Sequence, residues 1–533
     1  IEDDDGLKTV TVNKTAPDGK LNIFAEESAA ADIDGDLTLG TVTAKSAVIK
    51  VNNGTMINGL DDEEKDKGNI NASAIVREAS GNNSGIGGQL DPVSVRITRN
   101  EGYSEEPDAS ADGDIFIEIL NTPEDEVSEV KLGTIISGQG DAGIISHTDT
   151  EADKVQAENG TVSYRIEGDL TVHDNVAEDT LLYVSGDAVV QAEGDMNIDA
   201  GTVKGDAYLT SGNDLSIKDL EVYGQLDAAA DGDVDVKDTH VSKDAAVISG
   251  GSITADGIVV DGNLAMYAEK SIDAVFNEKV DGSEIYAAAG EDICLEFKEK
   301  TDADITLDAD GNADLFFDKD ADVRADVTTG EEFGIITGGA LKITDTRTGE
   351  ESFVIDSLLT ENDDPVTVVS GRDIDIRHTN VEKLKADMAE DKELSVSAVN
   401  SIDIIFINEN GILGDTEVYG DLSVNGTSLT VRGDVIADGT AEFTAEDLIG
   451  VIGKITADRL VFNNMKQLEL AEPETKTVDI NSDSKVKFTF SGKDIAEIYS
   501  LFKDRLEIAD AGGVPETAML KVIDPKTTVN FNA

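Results

Sequence analysis

The 533-residue sequence contains one cysteine, no tryptophan, eight prolines and four histidines, and each scarcity removes a class of protein. A single thiol, Cys294, leaves no disulfide to be made within the chain. Without tryptophan, and with 5% aromatic residues, a groove built to stack sugar rings is disfavoured. So few prolines disfavour a collagen-like or proline-rich disordered rod. The histidines, at 147, 173, 240 and 378, have no metal-ligand spacing. Gly-x-Ser-x-Gly, His-Glu-x-x-His and the phosphate loop are all missing from the sequence. No apolar run approaches the length of a membrane-spanning helix, so direct membrane insertion is not expected. Basic residues are outnumbered 42 to 111, a formal charge of -69. Nucleic acid and anionic lipid need a basic patch, so neither is an expected partner. Such a surface suits solvation, high salt or divalent cations.

What is present is a repeat. Ala188, Ala207, Leu226, Ala245 and Leu264 stand 19 residues apart, and so do Val190, Leu209, Ala228, Val247 and Met266 two positions later. Two further series, Met196 to Ile272 and Val184 to Val260, keep the same interval. Apolar residues at i and i+2 mark half-buried strands, so three short strands recur in each unit. No segment between the corners is long enough for a stable helix. A repeat this short buries its apolar face by stacking on its neighbours. The spacing therefore predicts an all-β fold, a right-handed parallel β-helix with three short strands per coil. In the strand Ile293-Cys294-Leu295 the same phase points Cys294 outward, as a cross-linking site or as a thiol without function.

Gly-Asp pairs at 168, 186, 194, 205 and 232 stand before strands. Glycine can supply positive φ there and aspartate can bond nearby amides, which is turn chemistry. Aspartates also stack from coil to coil. One corner gives Asp187, Asp206 and Asp244, with Gln225 and Asn263 in the same column, and another gives Asp195, Asp214 and Asp233. Carboxylates about 4.8 Å apart repel by roughly 1 kcal/mol in water. Ca²⁺ would relieve that repulsion with oxygen ligands, which makes these six residues candidate Ca²⁺ ligands. Aspartate at a turn needs no metal, and the Gly-Gly-x-Gly-x-Asp calcium repeat is missing.

Along the chain, residues 1–60 read as initial coils and 61–134 as an irregular insertion or side module. Residues 135–300 read as regular β-helix, with the best phase from 170 to 295. In 301–416 uneven intervals suggest longer corner insertions, and 417–472 is regular again. There Leu422, Ala441 and Leu460 share the interval, as do Leu429 and Leu448. The hexapeptide Glu221 to Leu226 returns with one change as Glu417 to Leu422, which suggests duplicated coils. Residues 473–533 read as a capping region, with an amphipathic helix expected over 494–506. The opening Ile1-Glu2-Asp3 suggests a processed product or part of a longer protein.

The 19-residue coil with three strands in fixed order resembles, over about half the chain, the filamentous-haemagglutinin type of bacterial exoprotein, a family of secreted β-helical adhesins. The resemblance implies an extracellular, cell-surface location and a non-enzymatic structural rod, a stalk, filament or adhesin module. Its expected partners are other surface or matrix components, further copies in a filament, or a host receptor or glycan. A Ca²⁺-dependent surface-layer or matrix assembly protein is the first alternative, and a β-helix polysaccharide-processing enzyme is the second. No cofactor beyond Ca²⁺ is expected.

Overall fold

A computed structural model describes residues 9–13, 20–81, 84–98, 107–121, 127, 129–172, 182–348, 350–362, 364–407 and 409–470. Beyond these it describes strands at 474–475, 477–481, 486–489, 506–509 and 528–532. The fold is a parallel β-solenoid of about 21 turns. The chain divides into two compact units, 1–275 and 276–533.

In the first unit the periodic series lie directly above one another. Ala188, Ala207, Leu226, Ala245 and Leu264 are successive partners in one parallel ladder. Met196, Leu215, Val234, Ile253 and Ile272 are partners in a second. Val184, Val203, Val222, Val241 and Val260 form the third. Their side chains point inward and are almost fully buried, with one exception. Val260 keeps its register but is half-exposed, while Ile258, in line with the buried Leu220 and Thr239 of earlier coils, stays buried. Outward positions alternate with these, as the pleat requires.

Between 61 and 134, where the sequence loses phase, the same ladders continue. Ile49, Arg77, Ala109, Ile135 and Val155 are stacked partners. Val93, Ile117, Ile144 and Tyr164 form a second stack. The strands expected to belong to a side module are thus rungs of the solenoid. Phase is lost because the connections between rungs lengthen, as in the loop that carries the short 3-10 turn Lys65–Lys67. Strand count also varies from coil to coil. The strand Asp149–Ala157 pairs at its start with Leu170–Val172 and at its end with Leu182–Val184, so one long strand becomes two short ones in the next coil.

Among the described residues of this unit, serines, threonines and asparagines also take buried positions, but one buried side chain carries a charge. Arg77 is fully buried, and its Nε lies 3.5 Å from the Asp108 carbonyl oxygen. Neither Nη1 nor Nη2 has a hydrogen-bond partner among the described residues. Burial lowers its pKa to about 10, against the pull of Asp108.

The second unit begins with a different coil. Ile293, Ala313 and Phe333 are stacked partners, and so are Thr301, Ala321 and Leu341. Here a nine-residue strand and a five-residue strand replace three short ones. The stretch from 293 to 345, uneven against 19, is regular against 20. Phe276, Phe297 and Phe317 stack along the interior, with centroids 4.7 and 5.1 Å apart. Cys294 lies on an outward position and is half-buried.

Further on, Leu422, Ala441 and Leu460 are partners as expected, and Val424, Phe443 and Phe462 lie beside them. Leu429 instead pairs with Ile449, while Leu448 is half-exposed, because that coil holds one more residue than the 19-residue phase allows. The two related hexapeptides behave alike, with Val222, Leu226, Val418 and Leu422 buried and Tyr223 and Tyr419 exposed. Toward the C-terminal end lies the strand Val486–Thr489. Residues 494–505 of the expected helix lie outside the described residues, and Leu506 opens a strand, Leu506–Ala509.

Candidate functional site

The corner aspartates bond the coil that follows. The Asp187 Oδ1 accepts a hydrogen bond from the Asp206 backbone N–H at 2.9 Å, and the Asp206 Oδ1 accepts from Gln225 N–H at 2.9 Å. The Asp244 Oδ1 accepts from Asn263 N–H at 2.8 Å. At the other corner the Asp195 Oδ1 accepts from Asp214 N–H at 3.2 Å, Asp214 from Asp233 at 2.8 Å, and Asp233 from Ser252 at 2.7 Å. These corner amides would otherwise lack an acceptor, and a carboxylate makes a stronger one than a neutral group. Each aspartate therefore staples its coil to the next.

This arrangement corrects the reason given for glycine. Gly168, Gly186, Gly194, Gly205 and Gly232 do not have positive φ. At Gly168, Gly194, Gly205 and Gly232 the carboxylate of the preceding coil fills the space of a side chain, whereas at Gly186 the Gly160 carbonyl oxygen stands 2.9 Å from where a Cβ would lie. A Cβ on Gly205 would lie 2.2 Å from the Asp187 Oδ1, and one on Gly232 would lie 2.2 Å from the Asp214 Oδ1. The dependence shows in the sequence: Lys243 follows the coil with Gln225, and Lys270 follows the coil with Ser252. Where the column offers no aspartate the glycine can give way to lysine, although Gly186 is kept above Thr161. Asn213, above Asp195, is the exception, and the hydrogen bond there is the longest of these six, at 3.2 Å.

Of the six candidate Ca²⁺ ligands, the structure brings Asp195, Asp214 and Asp233 onto successive rungs, and Asp187 and Asp206 likewise. Gln225 separates Asp244 from Asp206. One oxygen of each carboxylate is committed to an amide. Among the described residues, no group of three or more His, Cys, Asp or Glu is placed to hold a metal ion.

A second feature was not legible in the sequence. In the second unit an open groove of about 880 Å³ runs across the strands Ile374–Thr379, Leu394–Ala398, Asn410–Val418 and Val435–Ala445. Its floor is low because Ser395 and Ser397 take outward positions between longer neighbours, Asp375 beside Ser395 and Glu417 beside Ser397. Arg377 and Arg432 flank it. Arg377 pairs with Asp356 at 2.7 Å and Asp375 at 3.2 Å, and these bonds raise its pKa. Arg432 pairs with Glu393 at 3.1 Å.

The groove's other acids repeat the stapling device. Asp373 accepts from Glu393 N–H, Asp415 from Asp434 N–H, and Asp434 from Lys454 N–H. One wall ends at Ser352, on an insertion held by a buried ion network. The buried Asp345 pairs with Arg347 at 3.0 Å and Arg372 at 3.2 Å, and Arg347 donates to the Ser352 carbonyl oxygen. With both arginines already ion-paired, this lining is acidic and offers carboxylate and hydroxyl contacts, and its lining residues place no histidine or cysteine beside a serine.

In the first unit His147 bridges two coils, with Nε2 3.0 Å from Glu118 and Nδ1 2.9 Å from Glu167. Burial works against protonation of the ring, but the two carboxylates prevail and raise its pKa. Nothing in the sequence spacing links these three residues, because they meet only through coil stacking. Compared with family models, curated proteins and solved structures, the chain finds no match, so its function has to be argued from the geometry alone.

Proposed function

We propose that this chain is a non-enzymatic structural module of an extracellular bacterial surface protein, of the filamentous-haemagglutinin type, serving as stalk or filament. The observation that supports it most is the stapling of coil to coil at the corners by aspartates. A device that repeats along the chain serves mechanical continuity rather than one reaction centre. The acidic exterior keeps such a module solvated and discourages random side-by-side aggregation. Negative-stain microscopy of the purified chain tests this reading: narrow elongated particles are expected, and compact globules would refute it. Turnover of an acidic polysaccharide by the purified chain would favour the enzyme reading instead.

The column Asp195, Asp214, Asp233 favours a second reading, Ca²⁺-dependent assembly, since each carboxylate keeps one oxygen outside its corner bond. Polymers that form with Ca²⁺ and not with Mg²⁺ would select it.

A further inference from the structure

The outward side of one ladder in the first unit differs from the rest of this acidic chain. Eight strands, from Ile115–Ile119 to Leu264–Ala268, present two outward positions each. One column runs from Phe116 to Ala265 and the other from Glu118 to Tyr267. Only Glu118, Arg165 and Asp227 are charged in the two columns, a net of -1 on a chain of -69. In the neighbouring ladder Asp235, Asp256, Asp273, Lys218 and Lys237 occupy outward positions. On the charge-poor face Val189 is 44% exposed, Tyr208 38%, Ile248 49% and Tyr267 43%.

We propose that this face pairs with the same face of a second copy. The two columns are self-complementary about a two-fold axis parallel to the strands, between the rungs of Val189 and Tyr208. That axis sets Val189 against Tyr208, Gln191 against Thr210 and Ile145 against Ile248. It sets the bulky Phe116 against Ala265, and it puts Arg165 on the rung opposite Asp227, one column away. Like meets like without placing two acids face to face.

Size and charge define the strength of the pairing. Eight rungs at about 4.8 Å and two columns give roughly 350 Å² per copy. A stable complex uses about 800 Å² per partner, so this contact is weak by itself. The corners beside it carry Asp187, Asp206, Asp244, Glu193, Asp231 and Glu269 against Lys204, Lys243 and Lys270, and they repel their counterparts. Pairing therefore requires screening and strengthens with salt, the opposite of an ion-paired interface. It deepens the reading of the chain as a structural module, because it supplies a lateral contact for a filament.

Sedimentation velocity of the full chain, with NaCl raised from about 0.01 M to about 1 M, shortens the screening length from about 30 Å to about 3 Å. The wild type is expected to shift from monomer to dimer. Ile248→Glu weakens the dimer at least tenfold, and adding Ile145→Lys to it restores pairing. Ile436→Glu, an exposed isoleucine of the second unit, leaves dimerisation unchanged. A wild type that stays monomeric at high salt overturns the pairing, as does an Ile248→Glu chain that dimerises normally. A dimer that forms with Ca²⁺ and ignores NaCl overturns it too. Elongated monomers at every salt concentration sink the pairing and leave the stalk reading intact.

Discussion

The dependence of glycine on aspartate can be tested at Gly251 and Asp233. A Cβ on Gly251 would lie 2.0 Å from the Asp233 Oδ1, and the other near atoms are 3.0 and 3.1 Å away. That oxygen accepts the Ser252 N–H at 2.7 Å. Removing the carboxylate with Asp233→Ala costs about 1.5 kcal/mol, the usual worth of a hydrogen bond to a charged group. Gly251→Ala expels the carboxylate and crowds the corner, so it costs about 3 kcal/mol from the lost bond and overpacking together. In the double variant the added methyl occupies space that the carboxylate has left. Its cost should therefore be about 2 kcal/mol, well short of the sum of the single variants. Solenoids need not unfold in one step, so a global midpoint is a blunt measure. Hydrogen exchange of peptides covering 245–260 reads the local opening instead. Gly251→Ala should speed exchange there by roughly a hundredfold, at a tenfold change per 1.4 kcal/mol, and the double variant by less. Costs that add to within about 0.5 kcal/mol would show that glycine is there for some reason other than the carboxylate above which it sits.

Four further outcomes are expected. The His147 bridge has a folded pKa above the unfolded 6.5, so its stabilisation is present below that value and fades as pH rises through the folded pKa. The melting difference between wild type and His147→Gln should accordingly be largest near pH 5.5 and vanish in alkaline buffer; a constant difference would deny the charge a role. Leu226→Ala, in a fully buried position stacked between Ala207 and Ala245, should cost about 2 to 5 kcal/mol, read as faster exchange in residues 207–249. Arg77→Met should raise the melting midpoint, because a buried guanidinium with no partner on either Nη among the described residues is replaced by an apolar chain; a lower midpoint would mean that the charge is compensated. Millimolar Ca²⁺ and Mg²⁺ should shift the midpoint equally through screening, and a saturable Ca²⁺-specific rise would favour the metal-dependent reading.

Much of the fold is legible in the chain because a solenoid writes its tertiary contacts as a period. Leu226 meets Ala207 and Ala245 because each lies one coil away. Legibility fails where coil length changes. The two-strand coils after Thr301 follow a 20-residue interval that Ile293, Ala313 and Phe333 carry openly, but a search fixed on 19 passes over it. It fails more deeply where long connections intervene, as between Arg77 and Ala109, since no interval then predicts which residues become neighbours. The groove belongs to this second kind. Ser395 and Ser397 are unremarkable in sequence, and only the rungs beside them, with Arg377 and Arg432 fixed by ion pairs, make them a floor.

The sequence by itself determined the parallel stacking, the buried columns and the location of the corners, because burial of alternate apolar residues needs only local periodicity and a repeat. Tertiary structure alone decided what the corner aspartates do. Their hydrogen-bond partners lie one coil away, and the glycines above Asp187, Asp214 and Asp233 answer to a carboxylate that arrives only when the coils close on one another.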